Sequence, residues 1–182
     1  MNNSYIRYLI DWENKIESIS DTWNGFANQN KGERIAHNRI LNKDISTFIA
    51  CGKCREIYDM LIGSVRASQK TINFPFRCDS PGKRRFMKME MIPHEKGRIE
   101  FISYLDWEEI REPVALLDIS TQRSEEFVTI CSWCKRVKVK EALWLEIEEA
   151  MEHMPLFSKR LLPNLSHGVC PSCCESLMEK MR

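Results

Sequence analysis

Two stretches of the chain carry an unmistakable hydrophobic rhythm. From Cys51 to Ser68, the residues Cys54, Ile57, Tyr58, Leu61, Ile62 and Val65 recur at steps of three and four. That is the 3.6-residue period of a helix with one buried stripe. The period then drops to two. Ile72, Phe74, Phe76 and Cys78 alternate with polar neighbours, Met87, Met89 and Met91 continue the alternation, and Ile99, Phe101, Ser103 and Leu105 form a third run. Ser80-Pro81-Gly82-Lys83 and His94-Glu95-Lys96-Gly97 separate the runs and have the composition of hairpin turns. A three-stranded antiparallel meander after a helix is predicted. Pro75 cannot donate to a ladder, so the first strand belongs at a sheet edge or carries a bulge.

The first forty residues are less regular. Ile6, Leu9, Ile10 and Ile16 suit the apolar side of a helix over Tyr5–Ile19, and Ile19–Ala27, with Trp23 and Phe26, suits a strand. After a polar join at Arg123–Glu126, Leu143, Ile147, Ala150, Met151 and Met154 form a further helical stripe, and Leu177, Met178 and Met181 line a closing helix. The sum is an α+β chain, a sheet covered by helices followed by a small module, with a boundary near residue 120: a domain at 1–120 and a module at 121–182.

Composition narrows the chemistry. Of 182 residues, 43% are hydrophobic and 29% charged, and the formal net charge is +1, which excludes wholesale disorder and argues against a protein that mainly coats nucleic acid or an anionic membrane. No uninterrupted apolar core near the N-terminus resembles a secretory signal, and no run approaches a membrane span. A cytoplasmic setting is expected, with no membrane partner. The eight cysteines are the anomaly, since reduced thiols at paired spacing more often hold metal or do redox work than form bridges.

Cys131-Ser132-Trp133-Cys134 and Cys170-Pro171-Ser172-Cys173 are two pairs of that kind. Each turn aims two thiolates at one point, so the pairs together suit a tetrahedral four-sulfur site, with zinc the best match. Such a site leaves no open position for water, which makes it structural. Residues 135–169 exceed the usual zinc-ribbon spacing, and a helix plus a loop fills them. His167, three residues before Cys170, either replaces one thiolate or donates to one from outside the metal shell. Cys174 is a bystander.

Two resemblances follow from these residues. Trp23-Asn24-Gly25-Phe26-Ala27, Ile57-Tyr58, Pro75-Phe76-Arg77-Cys78-Asp79-Ser80-Pro81 and Arg84-Arg85-Phe86 resemble a bacterial PAS-domain-like family over about residues 15–118. The resemblance implies a sensor or interaction module, some of whose members bind a small ligand between sheet and helices. Trp23, Phe26, Phe74, Phe76 and Phe101 are the candidates to line such a pocket or to fill it. Cys131, Cys134, Lys135, Arg136, Trp144 and Ser166-His167-Gly168-Val169-Cys170-Pro171-Ser172-Cys173 resemble a zinc-binding tail found after sensor domains of bacterial histidine kinases and response regulators. It covers about residues 129–178. The chain lacks that tail's acidic-Gly stretch and carries a longer loop at Leu156–Leu165.

Other constellations have two readings each. Cys51-Gly52-Lys53-Cys54 is either core packing at a helix start or a redox pair. Lys135, Arg136, Lys138 and Lys140 are either a nucleic-acid face or a solvated strand opposite the acidic Glu146, Glu148, Glu149 and Glu152. Arg77, Asp79, Arg84 and Arg85 suit cross-strand pairs. Met87, Met89 and Met91 suit the core, Cys78 an inward position on its strand, and His37 and His94 the surface. No catalytic triad, phosphate loop or metalloprotease helix is present, so no enzyme is expected. The sequence therefore reads as a cytoplasmic signalling or regulatory protein, acting through a protein partner or homodimer. Its rival is a zinc-ribbon nucleic-acid binder, and a haem or flavin sensor is a third reading.

Overall fold

The computed structural model of the protein describes residues 5–23, 25 and 37–182. Among them, the chain opens on strands β1 (Tyr5–Ile10) and β2 (Ile16–Ile19), a short helix α1 (His37–Ile40), and the long helix α2 (Gly52–Ser68). The meander follows as β3 (Ile72–Arg77), β4 (Lys83–Pro93) and β5 (Ile99–Ile110). These five strands form one antiparallel sheet in the order β2-β1-β5-β4-β3. As Pro75 requires, β3 is an edge strand.

The N-terminal region corrects the reading of a helix at Tyr5–Ile19. It is a hairpin whose first strand pairs with β5 along its whole length. Apolar residues at 6, 8 and 10 satisfy a two-residue period as well as residues at 6, 9 and 10 satisfy a helical one, and the open edge of β5 decides between them. Tyr8 stacks on Phe101 with ring centroids 4.6 Å apart. The turn carries its own signal: the Asp11 carboxylate accepts the Glu13 and Lys15 amides at 2.8 and 2.9 Å, and Asn14 takes a left-handed φ of 65°. The strand foreseen at Ile19–Ala27 is also corrected where it is described, because extended pairing ends at Ile19 and Thr22–Trp23 are helical. Phe26 and the side chain of His37 lie outside the described residues.

Helix α2 buries Cys54, Ile57, Leu61, Ile62 and Val65 on the sheet. Full burial of an aliphatic side chain is worth about 1.5–3 kcal/mol, so this stripe outweighs the ~1 kcal/mol cost of the interior Gly63. Arg66, on the same helix, donates to the Asp11 and Gly97 carbonyls at 2.8 Å each, tying two hairpin turns together. Met87, Met89 and Met91 are buried in the core, as their alternation predicts. A bulge between Phe86 and Met87 breaks the register, and the inward face of β5 ends at Ser103; Leu105 is exposed.

The second sheet comprises β6 (Arg123–Cys131), β7 (Val137–Lys138), β8 (Trp144–Leu145) and β9 (Leu162–Gly168), in the order β8-β7-β6-β9. Helices α3 (Ile147–His153) and α4 (Pro171–Glu179) complete it. The segment between the cysteine pairs is thus more than a helix and a loop. Strand β9 runs parallel to β6, and parallel neighbours need a long crossover, which is the structural reason for the extended spacing. Leu143 precedes α3 and is exposed, and Met178 points outward from α4, so both leave the stripes assigned to them.

Chain path and core divide differently. The chain passes from one sheet to the other between Ile110 and Arg123. The first core nevertheless takes in Cys131, Trp133, Cys170 and Leu177 together with α2 and the first sheet. A second core joins Val114 and Leu116 of that connection to Val128, Ile130, Val137, Ile147 and Ala150.

Candidate metal centre

The parallel pairing creates the site. Cys131 ends β6 opposite Gly168 at the end of β9, so the two Cys-x-x-Cys turns leave the sheet side by side at the same end. The first turn is closed by the Lys135 amide donating to the Cys131 carbonyl at 3.0 Å and the Cys131 amide donating to Arg136 at 2.8 Å. Lys135 adopts a left-handed φ of 64° to make the reversal. The second turn begins α4, with Pro171 at a position where a helix needs no amide donor. Gly168 has a steric role: a Cβ there would lie 2.9 Å from the Thr129 methyl, so a larger residue would force the strand ends to shift.

The sulfurs of Cys131, Cys134, Cys170 and Cys173 all lie within 4.8 Å of one another. Cys134 and Cys170 are 3.6 Å apart, close to the roughly 3.8 Å that tetrahedral zinc with bonds of about 2.3 Å would impose. The Cys170 amide points at the Cys131 sulfur from 3.4 Å. Hydrogen bonds from Cys134 and Cys173 hold the Cys131 thiol far below its ordinary range; the same contacts push Cys134 up to about 12 and Cys173 higher still. Thiols crowded in this way compete for ionisation, and a divalent cation is what lets the rest become thiolates. The donor set fits a metal ion held by four sulfurs.

His167 is not in this cluster. It is exposed on β9 and lines a cleft with Lys135, Ser132, Cys51 and Cys54. Burial of one part of the ring, then the Lys135 charge, lower its pKa, leaving it neutral at pH 7. Cys174 is half-buried beside the cluster but outside it.

The metal corner is joined to the first sheet through a dense seam. Trp133, between the first two cysteines, is buried and stacks on Tyr58 of α2 at 5.7 Å. Its carbonyl accepts the Arg77 amide from the edge strand β3 at 2.6 Å. The Cys54 sulfur sits 3.2 Å from the Ser132 hydroxyl and 3.6 Å from the Gly168 carbonyl. Arg77 and Asp79 form a buried ion pair with side chains 8% and 1% exposed, and Arg77 reaches Glu146 at 2.6 Å. Burial works against the Arg77 charge, but hydrogen bonds and charges from Asp79 and Glu146 outweigh it and raise its pKa. Arg111 lies 3.4 Å from Asp79 and 2.9 Å from Glu148, and Arg84 lies 2.8 Å from Glu148.

These contacts correct the cross-strand expectation in part. Arg84 and Arg85 do face Glu109 and Glu108 across the sheet, but Arg77 and Asp79 pair along their own segment, and Arg77 reaches Glu146 of the later segment. Arg111 is a partner the sequence did not single out; only its place in a charged strand end hinted at it. Cys78, just beyond β3, is half-buried, and burial raises its pKa.

The basic residues do not form one face. Lys135 turns inward to donate to the Ser132 carbonyl at 2.7 Å, and Arg136 pairs with Glu146 at 3.3 Å, while Lys138 and Lys140 are exposed. Glu146 and Glu148 serve the arginines of the first sheet as much as the basic strand. His94 is exposed and meets Glu100 at 3.0 Å.

The aromatic candidates also separate. Trp23 lines a mostly apolar cavity of about 230 Å³ with Tyr8, Ile16, Ile40, Phe48 and Tyr58. Phe74 and Phe101 are buried in the core. Phe76 borders an open groove with Phe86, Trp107 and Trp133, on the side of Cys134 and Cys173. The reading of β1 as a helix concealed Tyr8, because it placed the residue off the apolar stripe.

No family model matches the sequence, and no curated protein does. Among solved structures, the PAS domain from Bordetella pertussis BvgS is similar, at 17% identity and a TM-score of 0.41, covering 56% of this chain and 76% of that chain. So distant a likeness carries no weight for function. Among the described residues, no helix is long and apolar enough to cross a membrane.

Proposed function

We propose that the protein is a cytoplasmic signalling or regulatory protein in which a PAS-like sensing or protein-interaction unit, residues 1–120, is locked to a structural zinc module, residues 121–182. Zinc is held by Cys131, Cys134, Cys170 and Cys173; it supplies a rigid four-thiolate crosslink and no open position for chemistry. The observation that carries the reading is the shared core: Cys131, Trp133, Cys170 and Leu177 pack in the same cluster as Ile57, Leu61, Phe74 and Phe101. A tail built for independent binding would share no core with the sensor and would leave the sensor's edge strand free. Here the Trp133 carbonyl occupies the β3 edge and Trp133 covers Tyr58. A change around the Tyr8–Tyr58 cavity would therefore reach the zinc corner through Tyr58 and Trp133 without an intervening linker. Output passes to a protein partner or a second copy, not to a reaction catalysed by this chain.

Chelating zinc while following amide exchange tests the coupling. Protection should fall in α2 and β3 as well as at 131–134 and 168–173. Unchanged exchange in α2 and β3 would overturn it. Salt-dependent binding to DNA or RNA, lost in Lys138→Glu, would replace the reading with a nucleic-acid function.

A further inference from the structure

The cysteine pair at the start of α2 has a geometry that packing alone does not require. Cys51 is the N-cap of this 17-residue helix, and its sulfur accepts the Cys54 amide at 3.2 Å. Cys51 is half-exposed whereas Cys54 is buried. Both line a cleft of about 270 Å³ whose other walls include Tyr58, Ser132, Lys135 and His167. A partly exposed cysteine at a helix N-terminus, backed by a buried one a single turn later, is the arrangement of an attacking and a resolving thiol. The cleft admits a small molecule and bears a lysine whose ammonium is anchored 2.7 Å from the Ser132 carbonyl.

We propose that Cys51 and Cys54 are a redox-active dithiol, oxidised by a small hydroperoxide entering this cleft. The Cys51 sulfur attacks the distal peroxide oxygen, the O–O bond breaks, and the remaining fragment leaves as an alcohol or, from hydrogen peroxide, as water. Cys51 becomes a sulfenic acid. The Cys54 sulfur then attacks the Cys51 sulfur, the S–O bond breaks, and the departing hydroxide takes up the Cys54 proton as water. Two thiols and one hydroperoxide thus give one disulfide, one alcohol and one water; the two sulfurs together supply the two electrons. The reaction also removes the S–H that Cys54 directs at the Gly168 carbonyl, so its product is placed where the sensor helix meets the metal corner. The inference is independent of what the sensor binds and of whether the metal is zinc.

The test uses the full-length, metal-loaded chain, treated with equimolar hydrogen peroxide, blocked with an alkylating reagent and digested with trypsin without reduction. Cleavage after Lys53 separates Cys51 from Cys54 in the chain, so their peptides stay joined only through a disulfide. The expected result is the linked pair of residues 44–53 and 54–55, two hydrogen masses below the sum of the free peptides, with two fewer alkylated thiols. The link should be absent in Cys51→Ser, and reduction of the wild type with dithiothreitol should restore both thiols. If Cys51 and Cys54 remain alkylated, or if disulfides form among Cys131, Cys134, Cys170 and Cys173 instead, the proposal is overturned. The wild-type peptide map decides the matter even should Cys51→Ser fold poorly.

Discussion

Cys51–Cys54 and Cys131–Cys134 have the same spacing and meet across one seam, yet the backbone makes different objects of them. Cys51 ends an extended segment and starts a long helix, so its sulfur faces an amide and the pair stays local. Cys131 ends a strand, and the chain reverses through a left-handed Lys135, which keeps both sulfurs at the sheet end. There they meet Cys170 and Cys173, brought alongside by the parallel partner β9. Spacing specifies how two sulfurs sit relative to one another. Only the supersecondary context specifies whether a second pair will join them.

The largest effect that could break this comparison is loss of the metal. Replacing Cys131 and Cys170 by Ser should abolish zinc binding and unfold the segment around them, because structural zinc contributes on the order of 10 kcal/mol or more to such modules. Cys51→Ser with Cys54→Ser should leave zinc content unchanged. Metal analysis and circular dichroism on both double variants distinguish the pairs; equal zinc loss in both would show that they belong to one site.

A second, smaller effect probes the seam. Asp79→Ala leaves Arg77 and Arg111 buried without their shared carboxylate, and breaking a buried ion pair costs about 3–5 kcal/mol. Urea unfolding should show a loss of that order. A change below ~1 kcal/mol would mean that Glu146 and Glu148 suffice. Smaller still is the contrast between two glycines. Gly168→Ala drives a methyl against Thr129 and should destabilise by about 1–3 kcal/mol. Gly52→Ala, where the added carbon meets nothing within 4 Å, should be neutral or stabilise by about 0.4–1 kcal/mol. Thermal melts of the two variants give the sign directly. Lys138→Glu, on the exposed strand, should shift stability by no more than about 0.5 kcal/mol.

The parts of the structure legible in the sequence are those fixed by local period. Helix α2 and the meander β3–β5 follow from where apolar residues recur, and the hairpin turns from Pro81, Gly82 and Gly97. The hairpin β1–β2 was hidden because its apolar residues fit two periods at once, and the deciding partner, β5, lies ninety residues away. Its Asp11–Asn14 turn was the available signal. The cysteine spacing located the sulfurs that converge, since each turn is local. The reasons for convergence are long-range: β9 lying parallel to β6, and Gly168 admitting Thr129. The links from Arg77 and Asp79 to Arg111 and Glu146, and from Trp133 to Tyr58, are long-range too. No window of sequence contains both ends of such contacts.

The central claim is that four sulfurs hold one structural zinc at the joint between sheet and tail. Native mass spectrometry of the purified chain, with metal analysis of the same sample, tests it most directly. One zinc per chain is expected in the wild type and none after Cys131→Ser with Cys170→Ser. A wild-type chain without zinc, or zinc retained by the double variant, would contradict it.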